Sequence, residues 1–186
     1  MSRIIAGTLG GRRVTMPPGR ATRPTSDRVR EALFSSLATL VDLDGCRFAD
    51  LYAGSGAVGI EALSRGAAHA LFVESDARTA KVLRDNVAAL GVTAAAELVV
   101  APVARAVARR PAEPYQVIFA DPPYDVPDGE VSQVLAQLVA NDWLAEDAVV
   151  VLERRTRDEP PRWLEGVTGL QSRRYGETTL WYGRAS

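Results

Sequence analysis

The chain is poor in the residues that build metal centres and covalent staples. Its 186 residues include one cysteine, Cys46, and one histidine, His69. A single cysteine excludes an internal disulfide, and one histidine leaves no Cys/His cluster with metal-ligand spacing. Cys46, just ahead of an apolar strand, reads as structural, and His69, between alanines, as a surface residue. Long hydrophobic runs are missing too. No stretch approaches the ~20 apolar residues that span a bilayer, and the first residues lack a secretory signal pattern. The expectation is a cytoplasmic protein with no metal and no membrane contact. Lysine is nearly absent: Lys81 is the only one among 22 basic residues. Arginine's planar fork suits phosphate and base edges better than an ammonium does.

A hydrophobic content of 47% can supply the core of one domain. The net charge of −1 hides an asymmetry. Residues 1–34 carry Arg3, Arg12, Arg13, Arg20, Arg23, Arg28 and Arg30 against Asp27 and Glu31, a local +5 that leaves −6 for residues 35–186. An acidic body with a basic segment can meet a polyanion through that segment, although a charge cluster also serves as an ordinary solvated face.

The stretch Val117-Ile118-Phe119-Ala120-Asp121-Pro122-Pro123-Tyr124 organises the rest. A strand-length apolar run stops at two prolines, which lack N–H donors and fix φ. Asp121 and Tyr124 are therefore expected in a stiff loop past the carboxyl end of a buried parallel strand, the edge where open α/β sheets bind ligands. Asp121 and the Pro122 carbonyl can both accept hydrogen bonds from an exocyclic NH2 group. Tyr124 can stack on the base that carries it. An ordinary strand stop is the competing reading of these residues alone.

Around that stretch, short apolar strands alternate with helical periodicity. Strands are expected at 48–51, 70–73, 98–100, 117–120 and 149–152, and helices at 58–65, 77–90, 103–109 and 131–140. Such alternation implies a parallel sheet covered on both faces. Residues 170–175 and 178–182 flank Gly176-Glu177 as an antiparallel hairpin, and 154–163 reads as a polar loop. At the start, Ile4–Gly7 and Arg12–Val14 flank a Gly-rich turn, so residues 1–20 are expected to form a hairpin extension and 21–186 the main domain. Thr25, Ser26 and Asp27 compete to cap a helix running to about residue 40, with Val29, Leu33, Leu37 and Leu40 facing the domain and the arginines facing out.

The first strand leads into Asp50-Leu51-Tyr52-Ala53-Gly54-Ser55-Gly56-Ala57-Val58-Gly59. Gly54, Gly56 and Gly59 satisfy G-x-G-x-x-G in a strand–turn–helix context, with Glu74 ending the next strand. Glycine lets a backbone approach a ligand closely, and an acid at that strand end can grip a ribose diol. Asp50 separates two cofactor classes. Its carboxylate would repel a dinucleotide's pyrophosphate but favours the amino group and sulfonium of S-adenosylmethionine.

These motifs together resemble class I S-adenosylmethionine-dependent methyltransferases that act on exocyclic amines. More narrowly, Ile4–Gly7, Arg23-Pro24-Thr25-Ser26-Asp27-Arg28-Val29-Arg30-Glu31-Ala32-Leu33-Phe34 and Tyr175-Gly176-Glu177-Thr178-Thr179-Leu180 resemble the RsmD family of bacterial 16S rRNA (guanine-N2)-methyltransferases. The resemblance covers nearly the whole chain, and the Arg23–Phe34 block is its family-specific part. It implies a Rossmann-like, seven-stranded α/β sheet, parallel with one antiparallel C-terminal strand, plus a small N-terminal hairpin/helix appendage. It implies methyl transfer to guanine N2 of 16S rRNA, at 966 in the usual rRNA count, on the 30S subunit or its assembly intermediate, by a monomer. Asp50, Tyr52, Gly54, Ser55, Gly56, Gly59, Glu74, Val103 and Asp121 are then expected to hold S-adenosylmethionine. Asp121, Pro122, Pro123 and Tyr124 would hold the target amine and base, and Arg3, Arg12, Arg23, Arg28 and Arg30 the RNA. Val103 departs from the family's usual polar residue beside the adenine, which leaves that contact to the backbone; Ser35 replaces a usual Asn. The other readings are an adenine-N6 methyltransferase acting on DNA or RNA, since the Asp-Pro-Pro-Tyr loop serves that amine too, and a dinucleotide-dependent oxidoreductase.

Overall fold

The computed structural model describes residues 2–18 and 25–186. Arg20 and Arg23 lie outside them. Among the described residues no helix is long and apolar enough to cross a membrane. The chain runs β1 (Ser2–Arg3), β2 (Arg13–Val14), α1 (Asp27–Leu40), β3 (Arg47–Leu51), α2 (Ala57–Ser64), β4 (His69–Glu74), α3 (Ala77–Ala89), β5 (Ala96–Val100), α4 (Val103–Val107), β6 (Tyr115–Ala120), α5 (Asp128–Ala140), β7 (Leu144–Arg155), β8 (Val167–Tyr175) and β9 (Thr178–Ala185). Seven strands form one sheet in the order β5-β4-β3-β6-β7-β9-β8. Strands β3 to β7 are mutually parallel and β9 runs antiparallel between β7 and β8. This is the class I methyltransferase sheet that the resemblance implied.

Successive residues of a strand face opposite sides, so each strand feeds two cores. Phe48, Phe72, Val117, Phe119 and Val151 pack under α1, α2 and α3. Their neighbours Ala49, Leu71, Ile118 and Val150 pack under α4 and α5. Phe34 of α1 stacks on Phe48 of β3, with ring centroids 5.9 Å apart. Ile4 and Val14, at the two arms of the N-terminal hairpin, belong to the first of these cores.

Three expectations change. The hairpin strands shrink to residues 2–3 and 13–14, because the Ile5 and Ala6 N–H groups donate to the Glu61 carboxylate of α2 and not to a partner strand. Strand β7 spans 144–155, so Arg154 and Arg155 belong to the strand and not to the loop after it. The third concerns α1, whose arginines do not all face out. Arg30 is fully buried. Its Nε donates to Glu61 at 3.2 Å and its Nη1 to Ser2 Oγ at 3.1 Å, while Nη2 meets the Arg3 carbonyl and Asp27. A buried glutamate on α2 needs cationic partners; Arg30 supplies one from α1 and Arg65, at the end of α2, the other. Arg30 is therefore a structural anchor and cannot reach RNA.

Candidate active site

The carboxyl ends of β3, β4 and β6 open onto one cavity of ≈ 470 Å³, within the range of small-molecule and cofactor sites. The loop after β3 forms its floor. Tyr52 enters that loop with φ 61, a conformation an L-residue adopts only when its surroundings impose it. Gly56, with φ 84, starts α2, and Gly59 lies so close beneath Phe72 that a Cβ there would sit 2.4 Å from the ring. Asp50 is buried and accepts a bond from the Gly59 N–H at 2.9 Å. Burial pushes its carboxyl well above the usual carboxylate range; that backbone bond opposes the shift and Glu74 adds to it.

Glu74 ends β4 and ties the loop in place. Its Oε1 accepts from Gly54 N at 3.0 Å and its Oε2 from Asp76 N at 2.8 Å. Asp76 in turn caps α3 through the Thr79 N–H. Asp50, Tyr52, Gly54, Ser55, Glu74 and Val103 all line the cavity, whereas Gly56 and Gly59 stand behind its wall. A Cβ at Gly56 would meet Leu83 and one at Gly59 would meet Phe72, so both glycines let the loop pack tightly against the helices and sheet behind it. Val103 is buried at the start of α4 and presents an apolar side chain to the cavity.

The loop after β6 forms the opposite wall. Pro123 O accepts from Val126 N at 3.0 Å, closing a turn that leaves Tyr124 46% exposed. The Arg155 guanidinium covers that ring at 4.9 Å from its centroid, and Asp158 holds Arg155 through bonds of 3.1 Å to each carboxylate oxygen. Asp121 faces Glu153 on β7, and Thr25 Oγ1 lies within hydrogen-bond distance of both. Burial and the Glu153 charge push the Asp121 carboxyl well above its ordinary value.

Sequence reasoning missed four participants. Met16, Pro17 and Thr25 line the cavity, so the N-terminal segment reaches across the carboxyl edge of the sheet. Asn86 fastens that segment: its Nδ2 donates to Thr15 O and Ser55 O, and its Oδ1 accepts from Thr15 N. An asparagine inside the apolar repeat of α3 was the available signal. Of the expected RNA-contacting arginines, Arg3, Arg12 and Arg28 are exposed and Arg23 lies outside the described residues.

The cavity fits S-adenosylmethionine. Its wall carries a buried Tyr52 hydroxyl with no hydrogen-bond partner among the described residues. The Asp50 and Glu74 carboxylates stand in the same wall, and no lysine or arginine is found among its described lining residues. Such a donor set favours a cationic, hydroxyl-bearing ligand. Comparison with known proteins agrees. A family described as conserved hypothetical protein 95 matches residues 2–184. Ribosomal RNA small subunit methyltransferase D of Escherichia coli (strain K12) is 37% identical over 159 residues, 86% of this chain and 77% of that protein. The protein of the same name from Haemophilus influenzae is 33% identical over 176 residues, 94% and 89% of the two chains. The solved structure of yhhF from Escherichia coli superposes with a TM-score of 0.88 at 30% identity, covering 100% of this chain and 98% of that one. The chain therefore belongs to this family, the RsmD family of class I S-adenosylmethionine-dependent methyltransferases.

Proposed function

We propose that the chain methylates the exocyclic N2 of a guanine in 16S rRNA, presented by the 30S subunit or its assembly intermediate. The observation that carries this reading is the Asp121 carboxylate. It lines the cofactor cavity, its Oδ2 is engaged by Thr25, and its Oδ1 accepts no bond from the described residues. An acceptor held in that way suits an N–H donor brought in by the substrate. The small-subunit rRNA named for the two relatives supplies the substrate class.

When bound, S-adenosylmethionine would supply a methyl carbon made electrophilic by the sulfonium, the S–CH3 electron pair leaving with the sulfur of the product, S-adenosylhomocysteine. Asp50 and Glu74 hold its amino and ribose groups, with Tyr52 and Val103 packed along it. The guanine N2 lone pair is delocalised into the ring and is a poor nucleophile. Hydrogen bonds from N2–H to Asp121 Oδ1 and the Pro122 carbonyl favour a pyramidal nitrogen and free that lone pair. Once N2 carries the methyl group it sheds a proton, and the Asp121 carboxylate stands ready to accept it and pass it to water. Tyr124, backed by Arg155, stacks on the base, which must leave its own stack to enter. Most of the rate then comes from orientation and preorganised acceptors. Arg3, Arg12, Arg23 and Arg28 meet the RNA backbone.

The test compares wild type with Asp121→Ala, using methyl-labelled S-adenosylmethionine and 30S subunits. The variant should bind the cofactor as wild type does and transfer almost no label, because the carboxylate acts on the amine in the transition state. Near-normal turnover would remove Asp121 from this role.

A further inference from the structure

The register that pairs Ala120 with Leu152 brings Asp121 and Glu153 side by side at the carboxyl ends of neighbouring parallel strands. Like charges so placed repel, and burial strengthens the repulsion. Among the described residues, the Thr25 hydroxyl stands between them. Thr25 Oγ1 lies 2.9 Å from Glu153 Oε2 and 3.2 Å from Asp121 Oδ2. It comes from 96 and 128 residues away in sequence, on no strand of the sheet. The start of α1 sets its position. Ser26 caps α1 by accepting from Val29 N, and the buried Arg30–Glu61 pair fixes the first turn of α1 to α2. Ser26 does the capping, so the Thr25 hydroxyl is free to share its one proton between the two acids.

Resting on the amine-methylation reading, we propose that Thr25 is a positioning residue for the transfer: its hydroxyl holds Asp121 Oδ2 against Glu153 and so turns Oδ1 to the target amine. The family-specific stretch thereby acts inside the active site. Without this hydroxyl the Asp121 carboxylate can rotate about its terminal torsion, which is broad for such groups, and both oxygens face the neighbouring charge. Among the described residues, the groups that face Asp121 are Asp50 from β3, Glu153 and Arg154 from β7, and Thr25 from the segment before α1. Glu153 and Asp50 oppose its ionisation, and Thr25 and Arg154 favour it.

The experiment uses the full chain with 30S subunits as acceptor, comparing wild type, Thr25→Val and Thr25→Ser across pH. Cofactor affinity is measured in parallel by calorimetry. Thr25→Val should lower kcat about ten- to a hundredfold, the weight of a hydrogen bond to a charged group. Its acidic limb should move to higher pH, while cofactor affinity stays at the wild-type value. Thr25→Ser, which keeps the hydroxyl, should recover most of the rate. Wild-type kcat and pH profile in Thr25→Val would overturn the proposal, as would equal damage in the serine and valine variants. A third variant keeps the test independent of how valine folds. Glu153→Gln removes the neighbouring charge and should move the acidic limb to lower pH; an unmoved limb overturns the pairing. A wild-type enzyme that binds cofactor but labels no amine overturns the underlying reading instead, and is recognised by that combination.

Discussion

Replacing Arg30 by methionine should destabilise the fold without touching RNA affinity directly. The side chain is 0% exposed, as is its partner Glu61. It also serves Ser2, the Arg3 carbonyl and Asp27, so one guanidinium joins the N-terminal hairpin, α1 and α2. Methionine fills the volume of the stem but leaves Glu61 with an uncompensated part of its charge. Removing one member of a buried ion pair typically costs about 3–5 kcal/mol. Arg65 Nε remains on Glu61 Oε2 at 2.9 Å, and the Ile5 and Ala6 N–H groups stay bonded. The expected loss is therefore near the lower end, about 3 kcal/mol, which lowers Tm by about 6–12 °C in a domain of this size. Thermal melts and urea titrations of wild type and Arg30→Met measure it, and adding Glu61→Gln should recover part of the loss. An unchanged Tm together with weakened RNA binding would refute the buried-anchor account and return Arg30 to the RNA interface.

Other perturbations probe the same geometry. Glu74→Gln should weaken S-adenosylmethionine binding about tenfold or more, because one accepting oxygen becomes an NH2 facing a backbone N–H; calorimetry showing unchanged affinity would contradict this. The rate should fall on acidification through a limb above the ordinary carboxylate range of about 4, since Asp121 must be ionised to accept the amine and burial raises its pKa. A kcat profile flat through that region would contradict it. Neutralising Arg3, Arg12 and Arg28 together should weaken 30S binding and reduce its salt slope by about one for each phosphate no longer neutralised, with cofactor affinity unchanged. Wild-type binding across a salt series would make these arginines a solvated face only.

The sheet and both cofactor-facing loops were legible because they rest on local signals. Strand-length apolar runs mark the strands, and the glycines after Asp50 and the prolines after Asp121 punctuate them. The features that escaped depend on partners distant in sequence. Thr25, Ser26 and Asp27 are equivalent as cap candidates, and only the tertiary fold assigns Ser26 to the helix and Thr25 to Asp121. Arg30 carries no local mark of burial; the hint lay in Glu61, an acid inside the apolar run of α2 that had to find a cation. Strand β7 was legible only over its apolar centre at 149–152. Its start carries the exposed Glu146 and Asp147, and Asp147 adopts φ 59, an irregularity no propensity scale anticipates.

The identity of the methylated amine decides between the possible substrates. The direct measurement incubates the protein with methyl-labelled S-adenosylmethionine and 30S subunits, naked 16S rRNA or DNA, then digests the product and identifies the labelled nucleoside. N2-methylguanosine from the small-subunit RNA is the expected product. Label in N6-methyladenosine, in DNA alone, or in no nucleoside at all would contradict it.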